Sequence, residues 1–321
     1  MTPPEPRRWL LHPGDPGWPA GLSDLGDLGD RYRVASVWVE GELPVLPGVA
    51  VVGSRAAGAT GQEVARRIGA DLCRRGVTVV SGFALGVDAA AHRGCLAAGG
   101  QTVAVLGCGL AVDYPRSHRA LRTEVSLRGA LVSEYTAWDA PRAWHFPHRN
   151  RIIAALSRAV VVVVAGEKSG ALSTARWAAD LGREVLAVPG SILGPFSEGS
   201  NRLLRDGARP YLDVSDLADV FPQCTAPAVS ERGREAAQPG HGGGSKPEGA
   251  RDHASRLLAL VSAEPVPREL IGRALGLRAS GLAVLLGELE LEGQVRSLPG
   301  GLVVRDHPNL GMGNRVPRLQ P

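Results

Sequence analysis

The stretch WHFPHRNRIIAALSRAVVVVVAG, residues 144–166, sets Arg149, Asn150 and Arg151 ahead of an apolar helical pattern and then a strand of β-branched residues. In a helix beginning near Arg149, Ile152, Ile153 and Leu156 form the buried stripe, and Arg149 projects onto the same side, one turn before Ile153. Its guanidinium has no place in an apolar core, so it is expected to reach past the helix end. A cation in a first helical turn costs about 0.3–1 kcal/mol against the macrodipole, and a bound phosphate reverses that sign. The chemistry expected here is therefore anion binding. The competing use is an ion pair from Arg149 or Arg151 to Glu134 or Glu167. Just upstream, Tyr135, Trp138, Trp144 and Phe146 crowd beside these cations. They suit a core, but aromatics interleaved with arginine also suit base stacking.

Other loops repeat the theme. GSRAAGATG follows a strand pattern, and its small residues Gly53 and Ser54 with Arg55 allow a phosphate close to the backbone. Its spacing is neither G-x-G-x-x-G nor G-x-x-x-x-G-K-[ST], so the standard dinucleotide and P-loop sites are not expected, and no cofactor is. SGFALGVDAAAH offers Ser81 and Gly82; Asp88 suits a helix cap there, and His92 an ordinary packing role. SGALSTARW opens a helix at Ser169 and Gly170, with Ser173 and Thr174 in its first turn, and a later helix begins near Asn201. Several anion-tolerant loops suggest a groove that follows more than one phosphate.

These loops need a frame. From Pro47 to about Phe221, continuous apolar strands alternate with helical patterns, which predicts a parallel sheet covered on both faces. Right-handed crossovers then gather the strand-to-helix loops on one edge. Residues 1–46 read as an N-terminal extension, 47–222 as the α/β domain and 223–252, rich in Gly, Pro and charge, as a flexible linker. Three helical patterns and a two-stranded ribbon turning at Pro299-Gly300-Gly301 make 253–305 a winged helix, followed by a disordered tail over 306–321.

Bulk properties set limits. The chain has 321 residues and a formal charge of only +4, too little to demand nucleic acid by itself, so a basic site must be local. Cys73, Cys95, Cys108 and Cys224 lack C-x-x-C spacing and read as small apolar side chains in a reducing compartment, without metal or disulfide. No signal peptide is read at the N-terminus, and no apolar run approaches the roughly 20 residues of a membrane span. A soluble, cytoplasmic protein is expected.

The motifs VVGSR, SGFALGVDAAAH, TVAVLGCGLAVDYP, LVSEY, FPHRNRIIAALS, SGALSTARWAADLGREVLAVPG and EGSNRLLRDGA, in this order, resemble the signature of the DNA-processing protein A (DprA/Smf) family. The resemblance runs from about residue 12 to 221 and continues into the winged helix. It implies an extended Rossmann-like domain that binds single-stranded DNA without cleaving it, protects incoming strands during natural transformation and delivers them to the recombinase RecA. It further implies a dimer, cooperative on DNA, and leaves single-strand-binding protein as a further partner. Carried over motif by motif, the contacts fall on Gly53, Ser54, Arg55, Ser81, Gly82, Phe146, Arg149, Asn150 and Arg151, with Ser169, Gly170, Thr174 and Asn201 as weaker additions. No catalytic residue and no metal ligand is implied.

Two departures stand out. Many members carry a helical N-terminal domain like the sterile alpha motif; with about 46 residues ahead of the first strand of the α/β pattern, a full domain of that kind is not expected here. The candidate recognition helix near Arg278 to Glu292 carries Glu288, Glu290 and Glu292, a poor fit to a phosphate-lined groove, so the module is expected to contact protein or a neighbouring subunit. The rival reading is a Rossmann-like nucleotide phosphoribohydrolase of the lysine-decarboxylase-like family. Its hallmark P-G-G-x-G-T-x-x-E ends in a catalytic glutamate, where this chain has Trp177.

Overall fold

The strand that carries the first glycine loop shows how the architecture is built. In a computed structural model describing residues 7–192, 196–225, 248–261, 265–298 and 300–305, that strand is wholly buried. Val49 and Val51 belong to one apolar cluster, whereas Ala50 and Val52 belong to another. The alternation is the two-residue period of a strand with a core on each face.

The chain divides into two units, within residues 1–233 and 234–321. In the first, nine strands form one sheet: β1 (Arg8–Leu11), β2 (Val37–Gly41), β3 (Gly48–Val52), β4 (Val79–Ser81), β5 (Thr102–Val105), β6 (Ala130–Ser133), β7 (Ser157–Val162), β8 (Glu184–Ala187) and β9 (Arg209–Pro210). Their spatial order is β1-β2-β6-β5-β4-β3-β7-β8-β9. From β6 to β9 all pairs are parallel, as the sequence predicts. The helices are α1 (Ala59–Arg74), α2 (Val87–Ala97), α3 (Arg119–Arg128), α4 (His145–Ala155), α5 (Ala171–Asp180) and α6 (Glu198–Arg205). Residues of α4 and α5 pack on one face and residues of α1 and α2 on the other. Strand order runs one way from β3 through β4 and β5, then restarts on the other side of β3 with β7. That reversal opens a crevice at the carboxyl ends of β3 and β7, where ligands bind in such sheets.

The N-terminal segment differs from its reading as an extension set apart. Its strands β1 and β2 pair antiparallel with each other and β2 with β6, so residues 8–41 lengthen the main sheet. Val37 and Val39 are fully buried in the same cluster as Ile152 and Ile153. Short alternating strands were hidden there among prolines and glycines.

The second unit contains α7 (Glu248–Leu260), β10 (Val266–Pro267), α8 (Arg268–Leu275), α9 (Ala279–Leu291), β11 (Val295–Leu298) and β12 (Leu302–Arg305). It is the expected winged helix, with β10 added to the ribbon as a third strand. The first helix begins at Glu248, within the stretch read as linker. The remainder of that linker from 226 to 247, and the tail from 306, lie outside the described residues. Among the described residues no single helix is long and apolar enough to cross a membrane.

The cysteines depart from expectation. Cys73 and Cys95 are joined in a disulfide, and Cys108 and Cys224 are free and buried. Spacing gave no sign of the pair, because tertiary packing of α1 on α2 creates it. The helices approach so closely that a Cβ on Gly69 would lie 2.2 Å from the Ala91 carbonyl oxygen, and one on Gly94 would lie 1.9 Å from that of Arg66. Only glycine fits at either point, and the contact draws the two helix ends together. The bond closes a loop with a sequence separation of 22 residues. Such a loop stabilises by about 3 kcal/mol through the unfolded state, which corresponds to about 6–12 °C in Tm for a domain of this size. Calorimetry should therefore show the wild type losing that much on adding reductant, and Cys73→Ser melting low and insensitive to it. Four free thiols in the denatured, unreduced protein would contradict the bond.

Candidate nucleic-acid interface

At the crevice beside β3 lies a cavity of about 840 Å³. The loop after β3 lines it with Gly53, Ser54 and Arg55, the start of α4 with Phe146, Arg149 and Asn150, and the loop into α5 with Lys168, Ser169, Gly170 and Thr174. Nine of the residues singled out in the sequence thus meet in one place, from segments more than a hundred positions apart.

Arg55 is exposed at the mouth, with its guanidinium 4.8 Å from the centre of the Phe146 ring and no ion-pair partner among the described residues. Phe146 in turn lies against Gly107, where a Cβ would come within 2.8 Å of the ring. Tyr114 stands 5.7 Å from the same ring. A cation over an aromatic face, with a second ring beside it, can hold a phosphate and a base side by side. The half-buried Ser54 accepts from the Ala56 N–H through its hydroxyl, and Gly53 is hemmed in by Val87.

Arg149 behaves differently from the sequence expectation. Helix α4 begins at His145, so Arg149 stands in its second turn, and the macrodipole argument does not apply to it. Pro147 in the first turn, where its missing N–H is no loss, was the signal for the earlier start. The guanidinium does reach the carboxyl rim, but it is buried, donating to the Gly82 carbonyl at 2.7 Å and to the Val105 carbonyl. These are the strand ends of β4 and β5. Burial pulls its pKa down to about 10, opposed chiefly by the nearby Asp88 carboxylate, so it remains charged at neutral pH. Burial likewise pushes Asp88 up, and Arg149 opposes that rise. A Cβ on Gly82 would lie 2.6 Å from Arg149 Nη2 and 2.7 Å from Asp88 Oδ2. Gly82 is therefore the space in which this charge pair meets. Asp88 caps no helix terminus; it accepts from the Ala84 N–H in the preceding loop.

Arg151 is a correction. It is fully buried and paired with Glu134, with further bonds to the Tyr32 and His148 carbonyls, and it does not line the cavity. Two residues after Arg149 it points to the other side of the helix, where Glu134 at the end of β6 meets it. Ser81 is buried and donates to the Val51 carbonyl, while Asn201 brackets both backbone groups of Gly190; neither lines the cavity. Asn150 lines it but spends its amide on the Gly170 carbonyl and Ser173 Oγ, fastening α4 to the start of α5. Tyr114 and Lys168 were missed. Lys168 follows the logic of Arg55, a cation between a strand end and a glycine-led helix start, and GEKSG carried that signal.

The family model for DNA recombination-mediator protein A matches residues 9–222, and that for the DprA winged helix domain matches residues 244–301. The chain belongs to this family. Protein Smf of Escherichia coli is 38% identical over 273 residues, covering 84% of this chain and 71% of that protein. A DprA of Mycobacterium tuberculosis is 42% identical over 220 residues, 65% of this chain, and the chain spans only 57% of that relative's length. Among solved structures, DprA from Streptococcus pneumoniae superposes with a TM-score of 0.61 at 35% identity, covering 66% of this chain and 74% of that one. DprA from Helicobacter pylori, described for its single-stranded DNA binding mode, gives a TM-score of 0.58 at 26% identity over 68% of this chain and 96% of that one.

Behind the family's SGFALG loop, Phe83 holds a left-handed φ of 60°, which is rare for a bulky residue. Its ring packs between those of His92 and His118, at 5.9 and 5.2 Å. Thr102 donates to the Val79 carbonyl, so His92 Nδ1 is the donor to Thr102 Oγ1 at 2.7 Å. Nε2 then carries a lone pair with no partner. Burial, aided by the positive charges of His118, Arg93 and Arg149, drops the His92 pKa from 6.5 to about 3. A depressed folded-state value means stability present above pH 6.5 and lost as pH falls towards 3. The loss is about 1.4 kcal/mol per pH unit for one such group. Urea unfolding should show about 2 kcal/mol lost between pH 6.5 and 5, and a shallower slope in His92→Gln. Equal slopes would remove His92 as the cause.

Proposed function

We propose that this chain binds single-stranded DNA at the β3–β7 crevice without cleaving it. Membership of the recombination-mediator family supports the reading, as does the described binding mode of the Helicobacter pylori relative. The observation that carries it is the Arg55–Phe146 pair in the lining of an open cavity, an exposed cation over an aromatic ring, with Lys168 lining the same cavity. Among the described residues the one carboxylate lining the cavity, Asp88, is turned toward Arg149 and the Ala84 amide. It is occupied in structure and unavailable for glycosidic cleavage, which disfavours the phosphoribohydrolase alternative, as does Trp177 in place of the glutamate.

On this reading the protein protects incoming strands in the cytoplasm and loads RecA on them in natural transformation and recombination, as a homodimer and with single-strand-binding protein as a further partner. Residues 47–222 act as the DNA-binding domain, with the strands of residues 8–41 added to its sheet. The winged helix contacts protein: Glu288 and Glu290 on α9 and Glu292 just after it are all exposed, and phosphates would be repelled there. Arg55, Lys168 and Phe146 make the contacts; Arg149, Asn150 and Gly82 hold them in place.

The test is anisotropy with an unstructured oligothymidine. Arg55→Glu and Lys168→Glu are each expected to weaken binding about tenfold or more and to flatten the salt dependence by about 0.7 per lost phosphate contact. Duplex should bind far more weakly than single strand, and AMP should release no adenine. An unchanged salt slope in both variants would move the site elsewhere, and steady release of free base would restore the enzyme reading.

A further inference from the structure

The exposed aromatics of this chain are confined to one region. Among its Trp, Tyr and Phe side chains, all described, only Tyr114, Trp138, Trp144 and Phe196 reach 38% exposure or more. Tyr114 and Phe196 line the cavity already described. Trp138 and Trp144, at 80% and 57% exposure, flank Pro141 and Ala143, which form part of its wall. Large rings are normally withdrawn from water, so two tryptophans left out on a cavity lip need a use.

Their segment is held firmly. The Gly109 N–H donates to the Asp139 carbonyl at 2.9 Å, and the Ala111 N–H to the Ala137 carbonyl at 2.8 Å. The Thr136 N–H is taken by the Asp139 carboxylate, and the His145 N–H by the Arg142 carbonyl. Trp144 stands nearly perpendicular to the His145 ring, 4.1 Å away, with Tyr135 and His148 behind it. Between the tryptophans, Arg142 is exposed and has no ion-pair partner among the described residues. Tryptophan, arginine, tryptophan on a fixed lip is a pattern that stacks bases and attracts phosphates without reading sequence.

We propose that Trp138, Arg142 and Trp144 form a second station on the polynucleotide path, stacking the bases of nucleotides that leave the cavity over its Pro141–Ala143 wall. The inference rests on the single-strand reading above and extends the site beyond the nucleotides that the cavity holds. Continuity with that cavity and the unpaired cation favour a nucleic acid over an apolar peptide as the occupant.

The experiment measures affinity of the full chain for oligothymidines of about 4 and about 12 nucleotides, within the usual range of single-strand site sizes. Trp138→Ala, Trp144→Ala and the double variant are expected to lose about fivefold to a hundredfold on the longer strand, and nothing on the shorter one. Trp144→Phe should recover most of the loss, because a ring remains to stack. Intrinsic tryptophan fluorescence should be quenched by the longer strand only. Trp138 is so exposed that its truncation leaves folding intact, which keeps the test decisive if Trp144→Ala lowers stability. Wild-type affinity of the double variant for the long strand would overturn the proposal while leaving the cavity reading standing, and would assign the lip to a protein partner. Failure of the wild type to bind either strand would remove both.

Discussion

A buried positive charge organises the carboxyl rim of this sheet. Arg149 gives up water for the Gly82 and Val105 carbonyls and the neighbouring Asp88 carboxylate, and in doing so ties together the ends of β4 and β5 and the start of α2. A guanidinium is suited to this because its donors diverge in a plane and it stays ionised even when burial lowers its pKa. The loop that carries Arg55 joins this arrangement through one neighbour, because the Val87 N–H beside Asp88 donates to the Ser54 carbonyl. Gly82 leaves the room for the guanidinium, and Asn150, the next residue on α4, carries the constraint onward to the start of α5. Removing the charge would leave carbonyls and a carboxylate unpaired in the interior, where each is costly.

A division of labour follows among the arginines of one short helix and its surroundings. Arg149 and Arg151 are both consumed by protein groups, one by strand ends and one by Glu134. The cations that line the cavity and remain exposed, Arg55 and Lys168, lie on loops. On the proposed reading, a polyanion is met by exposed side chains that have no ion-pair partner among the described residues to give up, set upon a frame whose own charges are already paired. The aromatic side of the cavity is fixed in the same way: Phe146 is pinned against Gly107, and Tyr114 sets a second ring beside it.

The Cys73–Cys95 bond stands apart from this logic. It joins the far ends of α1 and α2, whose near ends carry the Arg55 loop and the Phe83 loop. The two loops are also in direct contact, the Val87 N–H donating to the Ser54 carbonyl. Disulfides are uncommon in reducing compartments, and nothing in the single-strand reading calls for this one.

The sequence by itself determined the parallel sheet, the two-faced core, the winged helix and the gathering of the glycine loops on one edge. Each of these follows from local periodicity, and periodicity is a property that neighbours in the chain share. It also brought nine cavity residues into view, because small residues and cations after strands have few other uses. Tertiary structure alone decided which cations are free. Arg149, Arg151 and Arg55 are indistinguishable in a string of letters, since what separates them is whether a carbonyl or carboxylate from a distant strand arrives beside them. The same holds for the two short strands before residue 47, which become sheet only when β6 offers its edge, and for the cysteine pair, which meets only because two glycines let α1 and α2 touch.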